Sequence, residues 1–169
     1  MTYEFLKMNS PIGDLFLIGH QTHLVSVVFE TNQSQFKKYG AVECKKHPIL
    51  LKASKQLNEY FQGKRKIFDL PLDLTGTDFQ KSVWTALEKI PYGQTTTYQE
   101  QSILIKKPTA MRAVGRTNGL NPLPIILPCH RVIGKSGKLT GYAGGLELKK
   151  QLLALEQKNN PDNEQIFMR

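Results

Sequence analysis

The chain has little cysteine and no long apolar run. Its two cysteines, Cys44 and Cys129, lie far apart, which excludes a disulfide framework and leaves both as free thiols in a reducing compartment. No hydrophobic stretch approaches the ~20 residues that cross a bilayer. The opening MTYEFLKMNS lacks the charged-then-apolar layout of a secretory leader, so a soluble, cytoplasmic protein is expected. Internal repeats and low-complexity segments are also missing. The most local absence is of acid. From Gln101 to Leu146 there is no Asp or Glu, while Lys106, Lys107, Arg112, Arg116, Arg131, Lys135 and Lys138 all fall inside. Within a formal charge of +9, this stretch is the natural face for a phosphate-bearing partner.

What is present fits two small domains in 169 residues. In residues 1–75, FLKMNSPIGDLFLIG reads as strand, turn and strand, and HLVSVVFE as another strand. PILLKASKQLNEYFQG has Ile49, Leu50, Ala53, Leu57, Tyr60 and Phe61 near helical spacing, with Gly63 as its stop. The linker-like FDLPLDLTGT then gives way to a helical pattern in residues 76–169. Asp78 is placed to cap FQKSVWTALEKI, whose Val83, Trp84, Leu87 and Ile90 share a face; Trp84 belongs to the core. YQEQSILI, a turn at Lys107-Pro108, and TAMRAVGRTNG predict helix, turn, helix in a basic setting. LNPLPIILP, with three prolines in seven residues, predicts extended backbone leading to the thiol. In GLELKKQLLALEQ the leucines 146, 148, 152, 153 and 155 predict a last helix packing behind it.

Cysteine is most often a buried small hydrophobe, yet Cys129 stands in PCHRVIG, followed at once by His130 and Arg131. A thiol needs a base or positive surroundings to become a nucleophile at neutral pH. On an extended strand His130 points to the face opposite the sulfur, so a bridging water would carry the proton. Glu156 is the acidic candidate to orient the imidazole, provided the last helix folds back.

Three stretches carry a resemblance: GTDFQKSVWTALEKIPYGQTTTYQE, RAVGRTNGLNPLPIILPCHRVIGKSGKLTGYAGGL and KKQLLALE. In that order and spacing, the chain from Gly76 to Glu156 closely resembles the O6-alkylguanine-DNA alkyltransferases. The resemblance implies an α/β protein with a small N-terminal ribonuclease-H-like domain, lacking nuclease activity, and a mainly helical C-terminal domain of winged helix-turn-helix type. It implies a repair reaction that moves the alkyl group of O6-alkylguanine, and of O4-alkylthymine, onto Cys129 once per molecule, by a monomer and without cofactor or metal. His130 matches the proton acceptor, Glu156 the acid that orients it, and Asn121 the brace of the active-site turn. Tyr98 matches the tyrosine that displaces the target phosphate and meets the flipped base. Arg112 matches the finger that fills the base stack, with Ala113 and Gly115 on the small-residue face entering the minor groove of double-stranded DNA. Val132 and Tyr142 match pocket walls, and Gln99, Lys107 and Lys135 match positions near phosphates.

Met111 departs from the family pattern where a small alanine usually precedes the arginine, and Ser102 with its neighbouring glutamines replaces a more apolar pattern. Both departures bear on DNA affinity rather than on the thiol. A structural zinc held by two cysteines and two histidines in some relatives has an incomplete set here, Cys44 with His20, His23 and His47; Cys44 is expected to be packed and the histidines exposed. Three alternatives fare worse. A non-reacting lesion binder would carry another residue, typically tryptophan, at 129. A cysteine hydrolase predicts many turnovers. A regulator would need a further metal-dependent domain or a dimerisation element.

Overall fold

The computed structural model describes residues 1–160. They divide into two compact units, one of Met1–Leu74 with Pro122–Pro124, the other of Thr75–Asn121 with the chain from Ile125 onward.

The first unit is built on a four-stranded sheet in the order β3-β2-β1-β4. Strands β1 (Glu4–Met8), β2 (Leu15–His20) and β3 (His23–Phe29) form an antiparallel meander, and β4 (Val42–Glu43) adds to β1 in parallel. Helix α2 (Pro48–Phe61) packs on β1, β2 and β3. Its Leu50, Ala53, Leu57 and Tyr60, spaced by three or four residues, are fully buried, and each larger side chain contributes roughly 1.5–3 kcal/mol of burial. Helix α1 (Gln33–Lys37) brings Phe36 against Phe5 and Phe16, with ring centroids 4.9 and 4.8 Å apart. Neither α1 nor β4 was foreseen, because five-residue and two-residue elements carry too little periodicity.

Two expectations need correction. The linker-like stretch is stitched to this unit: Gln56 holds both the amide and the carbonyl of Asp69, and Leu24 pairs with Pro71 and Asp73 through its backbone. The histidines are not exposed, and Cys44 is only half-buried. His20 and His47 are buried, with Nε2 2.6 Å from Asp73 and 3.5 Å from Glu4 respectively, and His23 is half-buried. Nearby carboxylates give the imidazoles partners, which is why these polar rings tolerate burial. Among the described residues no group of three His, Cys, Asp or Glu side chains is placed to hold a metal ion, and no helix is long and apolar enough to cross a membrane.

The second unit holds α3 (Asp78–Ala86), α4 (Tyr98–Leu104), α5 (Met111–Gly119) and α6 (Leu146–Lys158), with a two-stranded parallel ladder of β5 (Thr96–Thr97) and β6 (Val132–Ile133). Thr77, not Asp78, caps α3, in a capping box with Gln80; Asp78 lies in the first turn, where its charge meets the helix dipole. Thr97 and Glu100 form the same box on α4. Trp84 is buried and donates from Nε1 to the Thr117 carbonyl at 2.9 Å, as befits a core residue. The turn from α4 to α5 passes through Lys106 at φ 61°, a left-handed conformation that costs a side-chain-bearing residue roughly 1–2 kcal/mol. Lys106→Gly removes that strain against a smaller loss of chain entropy. It is expected to stabilise the protein by about 0.5 kcal/mol, seen as a melting point on the order of 1–2 °C higher; an unchanged or lower one would show that the lysine side chain earns its place by packing.

Candidate functional site

The proline-rich stretch delivers the thiol by an irregular path. Asn121, buried, donates from Nδ2 to the Leu127 carbonyl at 2.8 Å, closing a turn that passes through Ile125 at φ 75°. A β-branched residue in the left-handed region is strained and is held there by its surroundings; Ile125 is 1 % exposed. The thiol itself does not sit on extended backbone as expected. Cys129–Arg131 form one 3-10 turn, and strand geometry resumes only at Val132. The reason lies in the hydrogen-bond donors, since the turn directs both His130 and Arg131 inward to one carboxylate.

That carboxylate is Glu156, fully buried on α6. His130 Nε2 lies 2.6 Å from its Oε1. Arg131 grips it in a fork, Nε to Oε2 and Nη2 to Oε1, both at 2.9 Å, and the Gly93 amide donates to Oε2 at 3.1 Å. Gly93 has φ 78°, and a Cβ there would fall 2.4 Å from the Asn160 side chain, so the turn that presents this amide requires glycine. Arg131 also donates to the Ile90 carbonyl at 2.6 Å and stacks over Tyr92. It is therefore no part of a phosphate-facing surface and supplies no open positive field to the thiol.

Electrostatics follow from this packing. Burial alone would raise the Glu156 carboxyl, but the His130 and Arg131 donors overcome it and pull it to about 2. Burial lowers His130 against the pull of Glu156, so the imidazole is neutral. With Nε2–H given to the carboxylate, Nδ1 is left as the basic nitrogen, and it has no hydrogen-bond partner among the described residues. Burial pushes the Cys129 thiol up to about 11, with Asn121 and Lys149 opposing. The resting site is thus thiol, neutral imidazole and carboxylate.

Lys149 was not anticipated. The buried face of α6 is Lys149, Leu152 and Glu156; Leu146 is exposed, and the leucines at 148, 153 and 155 are only half-buried. Lys149 Nζ donates to the carbonyls of Val132 at 2.6 Å and Thr140 at 2.9 Å and reaches the Tyr98 hydroxyl at 3.5 Å. The spacing of Lys149, Leu152 and Glu156 marks one helix face, a signal hidden by the surrounding leucines. Tyr98 Oη donates to the Thr140 carbonyl at 3.0 Å, and the β5–β6 ladder sets the start of α4 beside Val132.

Tyr98 also lines an open cavity of about 760 Å³ with Gln99, Met111, Arg112, Gly115, Arg116, Lys135 and Thr140 among its walls. Val132 is buried, and Tyr142 is half-buried with its hydroxyl inside, which raises that phenol well above its ordinary range. The structure thus brings Cys129, His130, Glu156 and Asn121 into one cluster, and Tyr98, Gln99, Arg112, Gly115 and Lys135 onto the cavity. Lys107 and Ala113 are exposed and do not line it.

Comparison with known proteins places the chain in context. Residues 1–74 match the family model described as 6-O-methylguanine DNA methyltransferase, ribonuclease-like domain, and residues 78–158 match its DNA binding domain. A methylated-DNA–protein-cysteine methyltransferase of Methanosarcina barkeri is 49% identical over 160 residues, covering 94% of this chain and 99% of that protein. The constitutive enzyme of that name from Bacillus subtilis is 43% identical over 157 residues, covering 90% and 94%. The crystal structure of Mycobacterium tuberculosis O6-methylguanine methyltransferase superposes with a TM-score of 0.88 at 44% identity, covering 98% of this chain and 99% of that one. The same organism's protein in complex with DNA gives 0.84 at 45% identity, covering 99% of each.

Proposed function

Because the chain belongs to the 6-O-methylguanine DNA methyltransferase family, and so binds DNA and repairs it by direct transfer of an alkyl group to a cysteine, we propose that Cys129 is that cysteine. The observation that carries the assignment is the single 3-10 turn joining Cys129 to a buried His130–Glu156 pair.

In this reading helix α5 enters the minor groove of double-stranded DNA, where the small side chains of Ala113 and Gly115 let it approach closely. An alkylated guanine, or O4-alkylthymine, turns out of the stack past Tyr98 toward Cys129 at a cost of roughly a few kcal/mol. Arg112 offsets part of that by filling the gap, and Gln99, Lys107 and Lys135 meet phosphates. Val132 and Tyr142 wall the base. His130 Nδ1 takes the thiol proton, directly or through one water, while Glu156 stabilises the imidazolium. Sulfur attacks the alkyl carbon, the bond from carbon to O6 breaks, and its electron pair leaves with the base. Tyr98 donates a hydrogen bond to that base, and the Lys149 ammonium beside its hydroxyl favours the donation. The product is a thioether that no neighbouring group hydrolyses, so each molecule, acting as a monomer in the cytoplasm, reacts once.

Duplex DNA carrying labelled O6-methylguanine is expected to transfer one label per protein to Cys129, mapped by mass spectrometry, and none to Cys129→Ala. Continued turnover, or label on the variant, would refute the assignment. A pH profile tests the activation step. Moving the proton from thiol to imidazole leaves the net protonation of the site unchanged, so the single-turnover rate is expected to stay flat from about pH 7 to pH 9, below the thiol's value of about 11. A rate rising tenfold per pH unit would instead mean attack by a pre-formed thiolate without help from His130.

A further inference from the structure

The buried interior between α4 and α5 holds a side-chain pair that the mechanism above does not use. Gln101 is 1 % exposed and Asn118 5 %. Asn118 Nδ2 donates to Gln101 Oε1 at 2.7 Å, and Gln101 Nε2 donates back to Asn118 Oδ1 at 3.1 Å and also to the Val83 carbonyl of α3 at 3.2 Å. One amide pair therefore ties three helices together. Gln101 stands one turn after Tyr98, and Asn118 stands one turn after Gly115 and under two turns after Arg112. Tyr98, Arg112 and Gly115 all line the cavity.

An apolar contact at this place would be non-directional and would tolerate sliding or rotation of α5 against α4. A reciprocal amide pair admits one register, since any other leaves up to four buried polar atoms unsatisfied. We propose that the Gln101–Asn118 pair is a positioning element that holds α5 in its DNA-competent orientation relative to Tyr98. The proposal rests on the reading of α5 as the groove-entering helix. Loosening the pair turns one orientation of α5 into several, and the apparent affinity for DNA falls with the fraction that remains competent. Saturating DNA selects that fraction again, so the alkyl-transfer step is spared.

The test measures the Kd for an unmodified duplex by fluorescence anisotropy at fixed salt, the single-turnover transfer rate at saturating lesion duplex, and Tm. Gln101→Leu is expected to raise Kd roughly tenfold, from the loss of one hydrogen-bonded pair and the stranding of the Asn118 amide, with the saturated rate within about twofold of wild type. The exchange Gln101→Asn with Asn118→Gln keeps every donor and acceptor and the summed side-chain length, and is expected to restore Kd to within about threefold. Should Gln101→Leu not fold, Gln101→Asn alone, one methylene too short to span the pair, carries the same measurement. The proposal is overturned if the single variants bind duplex like wild type, if the saturated rate falls as far as affinity does, or if the exchange restores Tm but not Kd. The repair reading fails separately, by absence of label on Cys129 of the wild-type protein.

Discussion

Glu156→Ala is expected to destabilise the protein by about 3–5 kcal/mol, because it leaves the Arg131 guanidinium buried without its counter-charge. Four donated hydrogen bonds converge on that carboxylate, from His130, from two nitrogens of Arg131 and from the Gly93 amide. Alkyl transfer should slow by at least about a hundredfold as well, since the imidazole loses both its orientation and the charge that stabilises its protonated form. Urea unfolding and single-turnover label transfer separate the two effects; a variant that unfolds like wild type would show the cluster to be far less coupled than its geometry indicates. The wild-type protein should show the acid limb of the same dependence. The carboxyl is held at about 2 against its ordinary 4.5, so its contribution is complete above pH 4.5 and is lost as pH falls towards 2.

Lys149→Met should produce the second largest effect. The side chain has no exposed surface, and its ammonium satisfies the carbonyls of Val132 and Thr140. Methionine fills a similar volume but leaves those acceptors with fewer donors, for a loss of about 2 kcal/mol. Transfer is expected to fall about a hundredfold, the scale of removing one preorganised charge from a reacting site. The loss should appear at every pH from 7 to 9, because proton transfer from thiol to imidazole leaves the net protonation of the site unchanged with or without the ammonium, which opposes the rise of the thiol and stands beside Tyr98. Lys149→Arg, which keeps charge but not shape, serves as the comparison; transfer unaffected in the methionine variant would show that Lys149 only supports the loop carrying Thr140.

Much of the site was legible in the chain itself. PCHRV singled out Cys129 and His130, and the acid-free run placed Arg112 and Lys135, which line the cavity, in a basic stretch. Local patterns of this kind depend on neighbours in sequence, and the backbone honours them with few exceptions. The exceptions are instructive. Cys129 was placed on extended backbone, and the single turn that replaces it exists because two consecutive side chains share one acid 25 and 26 residues away. Arg131 was assigned to the surface field and Lys149 passed unnoticed, because lysine and arginine are ordinarily exposed and only a buried acid or a ring of carbonyls reverses that preference.

The sequence alone singled out the thiol proposed as nucleophile, the imidazole proposed as its base, the helix-turn-helix and the sign of the charge around them, all properties of residue type and short-range spacing. The tertiary structure decided which charges face water and which face one another. Burial raises the thiol, lowers the imidazole and would raise the carboxyl, and the converging donors of His130 and Arg131 reverse the last of these. Desolvation and hydrogen-bond geometry are properties of the packed interior, so no linear pattern could have stated them.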